Sequence, residues 1–80
     1  MKLPRDLSGL DLAQALAGIG YRVTRQTGSH IRLTLDSQPQ HHVTIPSHDP
    51  LKVGTLSAIL ADVAGNQKVS REALVKQLFD

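Results

Sequence analysis

The chain has 80 residues, 40% of them hydrophobic, and a formal net charge of +2. A chain this short buries only about 60–65% of its unfolded surface, so residues 1–80 read as a single domain with one modest core. No cysteine is present for a disulfide or thiolate metal cluster, and no apolar run approaches the roughly 20 residues of a membrane span. The opening Met1-Lys2-Leu3-Pro4-Arg5-Asp6 holds no apolar stretch of signal-peptide length, so a cytoplasmic protein is expected.

Ser8 is a candidate N-cap, with Asp11 three residues later to reach back and Leu7 and Leu12 at staple positions. Leu12, Leu16 and Ile19 recur at helical spacing, and Gly18 and Gly20 end the helix. Tyr21 to Gln26 then alternates, which places Tyr21 and Val23 inward and Arg22, Thr24 and Gln26 outward. Thr27-Gly28 signals a short hairpin, and a second strand follows from about Ser29 to Asp36. After the polar turn Ser37-Gln38-Pro39-Gln40, a third strand runs through His41-His42-Val43-Thr44-Ile45 and stops at Pro46. Leu56, Ile59, Leu60 and Val63 give the strongest helical periodicity, from about Thr55, the expected N-cap, to Gly65-Asn66. Ser70 can cap a last short helix with Leu74 and Leu78 on its apolar side.

The order α-β-β-β-α with a short C-terminal helix predicts a two-layer α+β domain, its three antiparallel strands covered on one face by helices. The other face would carry Arg22, Thr24, His30, Arg32, Thr34, His42 and Thr44. A bulge would exchange the faces; it is not expected, because the later strands would then bury charge or imidazole. A histidine beside an arginine on an open sheet face suits phosphodiester chemistry, and it equally suits an ordinary solvated strand end.

Three runs of residues together resemble one family. These are Gly28-Ser29-His30, Val43-Thr44-Ile45-Pro46-Ser47-His48, and Leu51-Lys52-Val53-Gly54-Thr55-Leu56 with Ile59-Leu60. With Gly20-Tyr21-Arg22-Val23-Thr24-Arg25-Gln26 ahead of them, they resemble the HicA (YcfA-like) family of bacterial toxins over roughly residues 5–65. The resemblance implies a fold similar to the double-stranded-RNA-binding domain. It also implies an endoribonuclease that cleaves mRNA without a metal, dependent on His30, and blocked by a HicB-like antitoxin. One departure is visible: Asn66-Gln67-Lys68 lengthens the link to the last helix, which bears on that helix and on antitoxin contacts but not on the motif.

RNA carries its own nucleophile, the 2′-hydroxyl, so a ribonuclease needs a proton acceptor, a proton donor and positive charge for the phosphorane. Histidine suits the proton work because its ordinary pKa is near neutral, and one such group contributes roughly 10²–10⁴-fold. On this reading His30 is the general base or acid and Arg32 stabilises phosphate charge. Arg22 and Lys52 hold the RNA backbone, and Ser29 orients the imidazole or touches a phosphate. His48 is a possible second acid or base if its loop curls over the sheet; its other role is to pin the connection to the next helix. Gly28 serves the turn.

His41 and His42 point to opposite faces and make a poor chelating pair, so neither a metal nor a small-molecule cofactor is expected. Tyr21 and Phe79 are the only aromatic side chains of the Phe, Tyr and Trp class, which leaves no stacking platform. RNA recognition should therefore rest on backbone and shape. Two other functions fit the same residues: a non-catalytic RNA-binding module, or an inactive toxin that serves as a protein-interaction domain through its basic face.

Overall fold

The computed structural model of the protein describes residues 3–80; Met1 and Lys2, the first residues of the segment read above for a leader, lie outside the described residues. Ser8 caps α1 (Gly9–Ala17) as its sequence predicts: the Ser8 hydroxyl accepts from the Asp11 N–H at 3.0 Å, and the Asp11 carboxylate accepts from the Ser8 N–H at 3.1 Å. This reciprocal box satisfies two donors that a helix start leaves free. Three strands follow, β1 (Tyr21–Gln26), β2 (His30–Leu35) and β3 (His41–Pro46), then α2 (Val53–Gln67) and α3 (Arg71–Phe79). The strands form an antiparallel sheet in the order β1-β2-β3.

Alternation in β2 and β3 places Ile31, Leu33, Val43 and Ile45 on one buried face, as expected. Leu12 and Leu16 of α1, Leu56, Leu60 and Val63 of α2, and Leu74 of α3 complete the core against it. Each fully buried Leu or Ile contributes roughly 1.5–3 kcal/mol relative to exposure. The α+β class and the element order are those the hydrophobic periods predict.

Polar contacts at both ends fasten the helical layer to the sheet. At the end carrying His30, the Gly9 N–H donates to the His48 carbonyl at 2.9 Å, and the Leu51 N–H donates to the Leu7 carbonyl at 2.7 Å. Gly9 is buried so closely against Pro46 that an added Cβ would overlap the Pro46 carbonyl. At the other end the Tyr21 hydroxyl lies 2.7 Å from His41 Nδ1, and His41 Nε2 lies 3.2 Å from the Asp62 carboxylate. With its proton on Nε2, His41 accepts from the phenol and donates to Asp62, which joins β1, β3 and α2. Burial pushes the Tyr21 phenol above its ordinary pKa, so this donor stays protonated.

Four local expectations are corrected. Helix α2 begins at Val53 after an N-cap at Lys52, which makes no side-chain cap bond, so Thr55 lies inside the helix and is not its cap. The Leu51–Leu7 backbone bond pins the chain directly before this start. The helix also runs through Gly65-Asn66 to Gln67. A Cβ at Gly65 would meet nothing, and the packing of Val63 and Ala64 outweighs the roughly 1 kcal/mol that glycine costs. It closes at Lys68, in the left-handed region at φ 59°, with the Val69 N–H donating to the Ala64 carbonyl. Thus Asn66 and Gln67 lengthen the helix rather than the link.

The third correction concerns Val23, which faces the helical side but is 49% exposed, because it lies on an edge strand that the helices do not fully cover. Finally, the register of β1 against β2 shifts between Val23 and Arg25, a β-bulge at Thr24. Beyond it Arg25 pairs with Arg32 and Gln26 with Ile31, so Gln26 turns to the helical side. The bulge sits in β1, and β2 and β3 keep their faces, so no imidazole or charge is buried by it.

Gly9→Ala should lower Tm by about 5 °C or more, since overpacking costs at least about 1 kcal/mol and each kcal/mol moves a domain of this size roughly 4–8 °C. Gly28→Ala should leave Tm unchanged or raise it slightly, because Gly28 has no left-handed φ and an added Cβ meets nothing within 4 Å. Thermal unfolding of the two variants checks both; equal losses would contradict the close approach at Gly9.

Candidate functional site

The hairpin between β1 and β2 fixes the backbone of His30 from two sides. The Thr27 hydroxyl accepts from the N–H groups of Ser29 at 3.3 Å and His30 at 3.1 Å, and the Thr27 N–H donates to the His30 carbonyl at 2.9 Å. Across the sheet, the Ser47 N–H donates to the Ser29 carbonyl at 2.9 Å, which carries the β2–β3 ladder past Pro46. The His30 side chain is exposed on the open face, with Nδ1 at 2.9 Å from Ser29 Oγ. One ring nitrogen therefore has a fixed neighbour, and Nε2 is left toward solvent.

Next along the face lies the row Arg25–Arg32–Thr44, one residue from each strand. Arg32 follows His30 by two positions, about 7 Å along the strand. Both arginines are exposed, and among the described residues neither has a carboxylate within ion-pair distance. Directly opposed like charges are unfavourable in a sheet.

The third row holds Thr24 and Arg22, then Thr34, then His42. Thr34, on the central strand, is only 4% exposed. Its hydroxyl lies 2.9 Å from Thr24 Oγ1 and 2.9 Å from His42 Nδ1, so a polar chain crosses all three strands. Thr24 is the extra residue of the bulge, and this bond holds it to the sheet. His42 stands four positions along from His30, about 14 Å away.

The remaining predicted residues lie apart. The Arg22 guanidinium is bound by Asp36 at 2.8 Å, and Asp36 also accepts from Gln40 at 3.0 Å. The Arg22 hydrogen bond holds the Asp36 carboxyl below its ordinary range, and the same bond raises Arg22. Arg22 thus sits level with Thr34 and is neutralised, away from His30. Lys52 is exposed at the start of α2, in the helical layer, beside Leu3, Arg5 and Asp6. His48 lines a groove with Ser8, Leu10, Gln26, Thr27 and Gly28 that does not include His30, and the pinning at this position comes from its backbone carbonyl. So the fold brings His30, Ser29 and Arg32 together, pairs Arg22 with Asp36, sets Lys52 in the helical layer, and places His48 just past β3 in the groove beside the hairpin.

Arg25 is the face residue that strand alternation left out, since nothing in a two-residue period reveals the bulge at Thr24. Among the described residues no three His, Cys, Asp or Glu side chains gather as a metal-binding group, and no helix is long and apolar enough to cross a membrane.

A family model described as the HicA toxin of bacterial toxin-antitoxin systems matches residues 9–64, from the first residue of α1 nearly to the end of α2. Neither the curated proteins nor the solved structures give a significant match.

Because the Asp36 carboxyl is depressed in the folded chain, its contribution to stability is complete above its unfolded value of about 3.9 and fades as pH falls through the lowered one. Both side chains are more than half exposed, so the effect on stability is small. Arg22→Ala should return the Asp36 carboxyl toward its ordinary range in an NMR titration; an unchanged midpoint would rule out the pairing.

Proposed function

Since the chain belongs to the HicA toxin family of bacterial toxin-antitoxin systems, we propose that it is a metal-independent endoribonuclease that cleaves mRNA with His30 as its acid–base group. The observation that carries the reading is the exposed His30 imidazole, held by the hairpin and by Ser29 at 2.9 Å, two positions from an arginine without a carboxylate partner.

With Nδ1–H donating to Ser29 Oγ, the lone pair of Nε2 faces the solvent side of the sheet. There it can take the proton of a 2′-hydroxyl. The 2′-oxygen then bonds to the adjacent phosphorus, the bond to the 5′-oxygen breaks, and that oxygen leaves with a proton from imidazolium or water. The products are a 2′,3′-cyclic phosphate and a 5′-hydroxyl. Arg32 brings positive charge to the RNA backbone beside the reacting phosphate. Ser29 positions the ring, and Lys52 serves RNA that continues around the end of the sheet. Arg22, neutralised by Asp36, contributes less to backbone binding than its place on the face suggests.

A single acid–base group contributes roughly 10²–10⁴-fold, so the enzyme is slow. His48, outside the face that carries His30, is not needed for this scheme. As a family member the chain is a toxin with an antitoxin partner, and a HicB-like protein that covers the open face would silence it.

A cleavage time course on a long unstructured RNA with EDTA present tests the reading. The wild type should produce fragments, and His30→Ala should lower the rate at least about 100-fold with Tm and RNA affinity retained. Ser29→Ala should slow cleavage several-fold. Equal cleavage by wild type and His30→Ala would overturn the assignment of His30. RNA bound but left intact by the wild type would make the protein a non-catalytic RNA-binding module.

A further inference from the structure

We propose that Arg25 and Arg32 form a two-guanidinium clamp that holds one phosphate of the RNA, next to the phosphate attacked at His30. This rests on the RNA-cleaving reading above and adds to it a residue and a binding mode.

Three observations carry it. First, the position of Arg25 is made by a defect in the sheet. Regular alternation would turn Arg25 to the helical side; the bulge at Thr24 turns it to the open face and sets it opposite Arg32. The defect is fastened by the Thr24–Thr34 hydroxyl bond on a nearly buried residue, so the aim of Arg25 is built into the sheet. Second, the two like charges are left facing each other. Cross-strand partners stand about 5 Å apart at Cβ, and like charges there repel. The nearby Arg22 has Asp36, while Arg25 and Arg32 have no carboxylate within ion-pair distance among the described residues. An anion between them removes the repulsion and gains charge-assisted hydrogen bonds. Third, the chemistry of the pair selects the anion. Each guanidinium offers a planar fork that fits phosphate in bidentate fashion, and two forks from neighbouring strands can share one phosphate.

The placement gives the clamp a purpose. Arg32 is about 7 Å from His30 along the strand, so the phosphate held by the pair is a neighbour of the one over the imidazole. Holding it positions the scissile linkage without any contact to a base, which suits a face with no aromatic platform.

The test uses RNA with 2′-O-methyl groups, which binds but lacks the nucleophile. Its affinity is measured against salt for wild type, Arg25→Ala, Arg32→Ala and the double variant, with Lys76→Ala on α3 as a control for net charge. Each single arginine variant should bind roughly tenfold more weakly at low salt. The double variant should bind little worse than either single one. Its slope of log affinity against log salt should fall by about 0.7, the value for one phosphate on a single strand, and not by the roughly 1.4 of two separate contacts. Single-turnover cleavage of unmodified RNA should fall in step with binding. Arg25→Ala binding like wild type, or additive losses with a slope change of about 1.4, would overturn the clamp. Neither result touches His30, whose substitution removes cleavage and spares the salt slope. A wild type that binds without cleaving would leave the clamp standing and remove the catalytic reading; a wild type that does not bind would remove both.

Discussion

The close approach of Gly9 to the end of β3 sets the geometry on which the rest of the molecule depends. With no side chain between them, the start of α1 lies directly on Pro46, and its first N–H closes onto the His48 carbonyl. This fixes where the helical layer sits over the sheet, and hence which residues of β2 and β3 are covered. It also fixes the path of the chain from β3 to α2, since Leu51 is bound to Leu7 in the same neighbourhood. The end of the sheet that carries His30 is therefore fastened to the helical layer, although His30 itself is exposed.

The open face is polar on the surface and sealed just beneath it. Thr34 lies under its neighbours with its hydroxyl shared between Thr24 and His42, so the central strand presents no unsatisfied hydroxyl there. Around that seal the charged groups divide into two sets. Arg22 is neutralised by Asp36 at one end, while Arg25 and Arg32 stand without carboxylate partners toward the other. The positive field of the face is thus concentrated toward His30. The division follows from which loop holds an aspartate, and net charge alone would not reveal it.

Much of this was legible in the chain. The capping box at Ser8, the alternation of β2 and β3, the period of α2 and the cap at Ser70 are local signals, and each appears where its residues predict. The family resemblance, with its motif at Gly28-Ser29-His30, was also visible. What escaped depends on contacts between distant segments. Thr55 looks like a cap until Leu7 is seen to hold Leu51, which moves the helix start back. Gly65-Asn66 reads as a stop, yet the packing of Val63 and Ala64 carries the helix past it. Gly9 reads as an ordinary helix-start residue, since the carbonyl it accommodates belongs to a strand more than thirty positions on. Arg25 was missed on the open face because the shift in β1 is a property of its pairing with β2. Val23 follows the predicted face but lies at an edge beyond full cover.

The bulge at Thr24 has one more consequence, for the company the sheet keeps. β1 is an outer strand, and a flat outer strand offers a row of free backbone groups to any other chain in extended form. The extra residue breaks the spacing of that row and twists it, and Arg22 and Arg25 add charge on either side of the break. A second copy of the protein would have to bring its own arginines against these to pair there. The irregularity that shapes the polar face also guards the strand against self-recruitment into longer sheets.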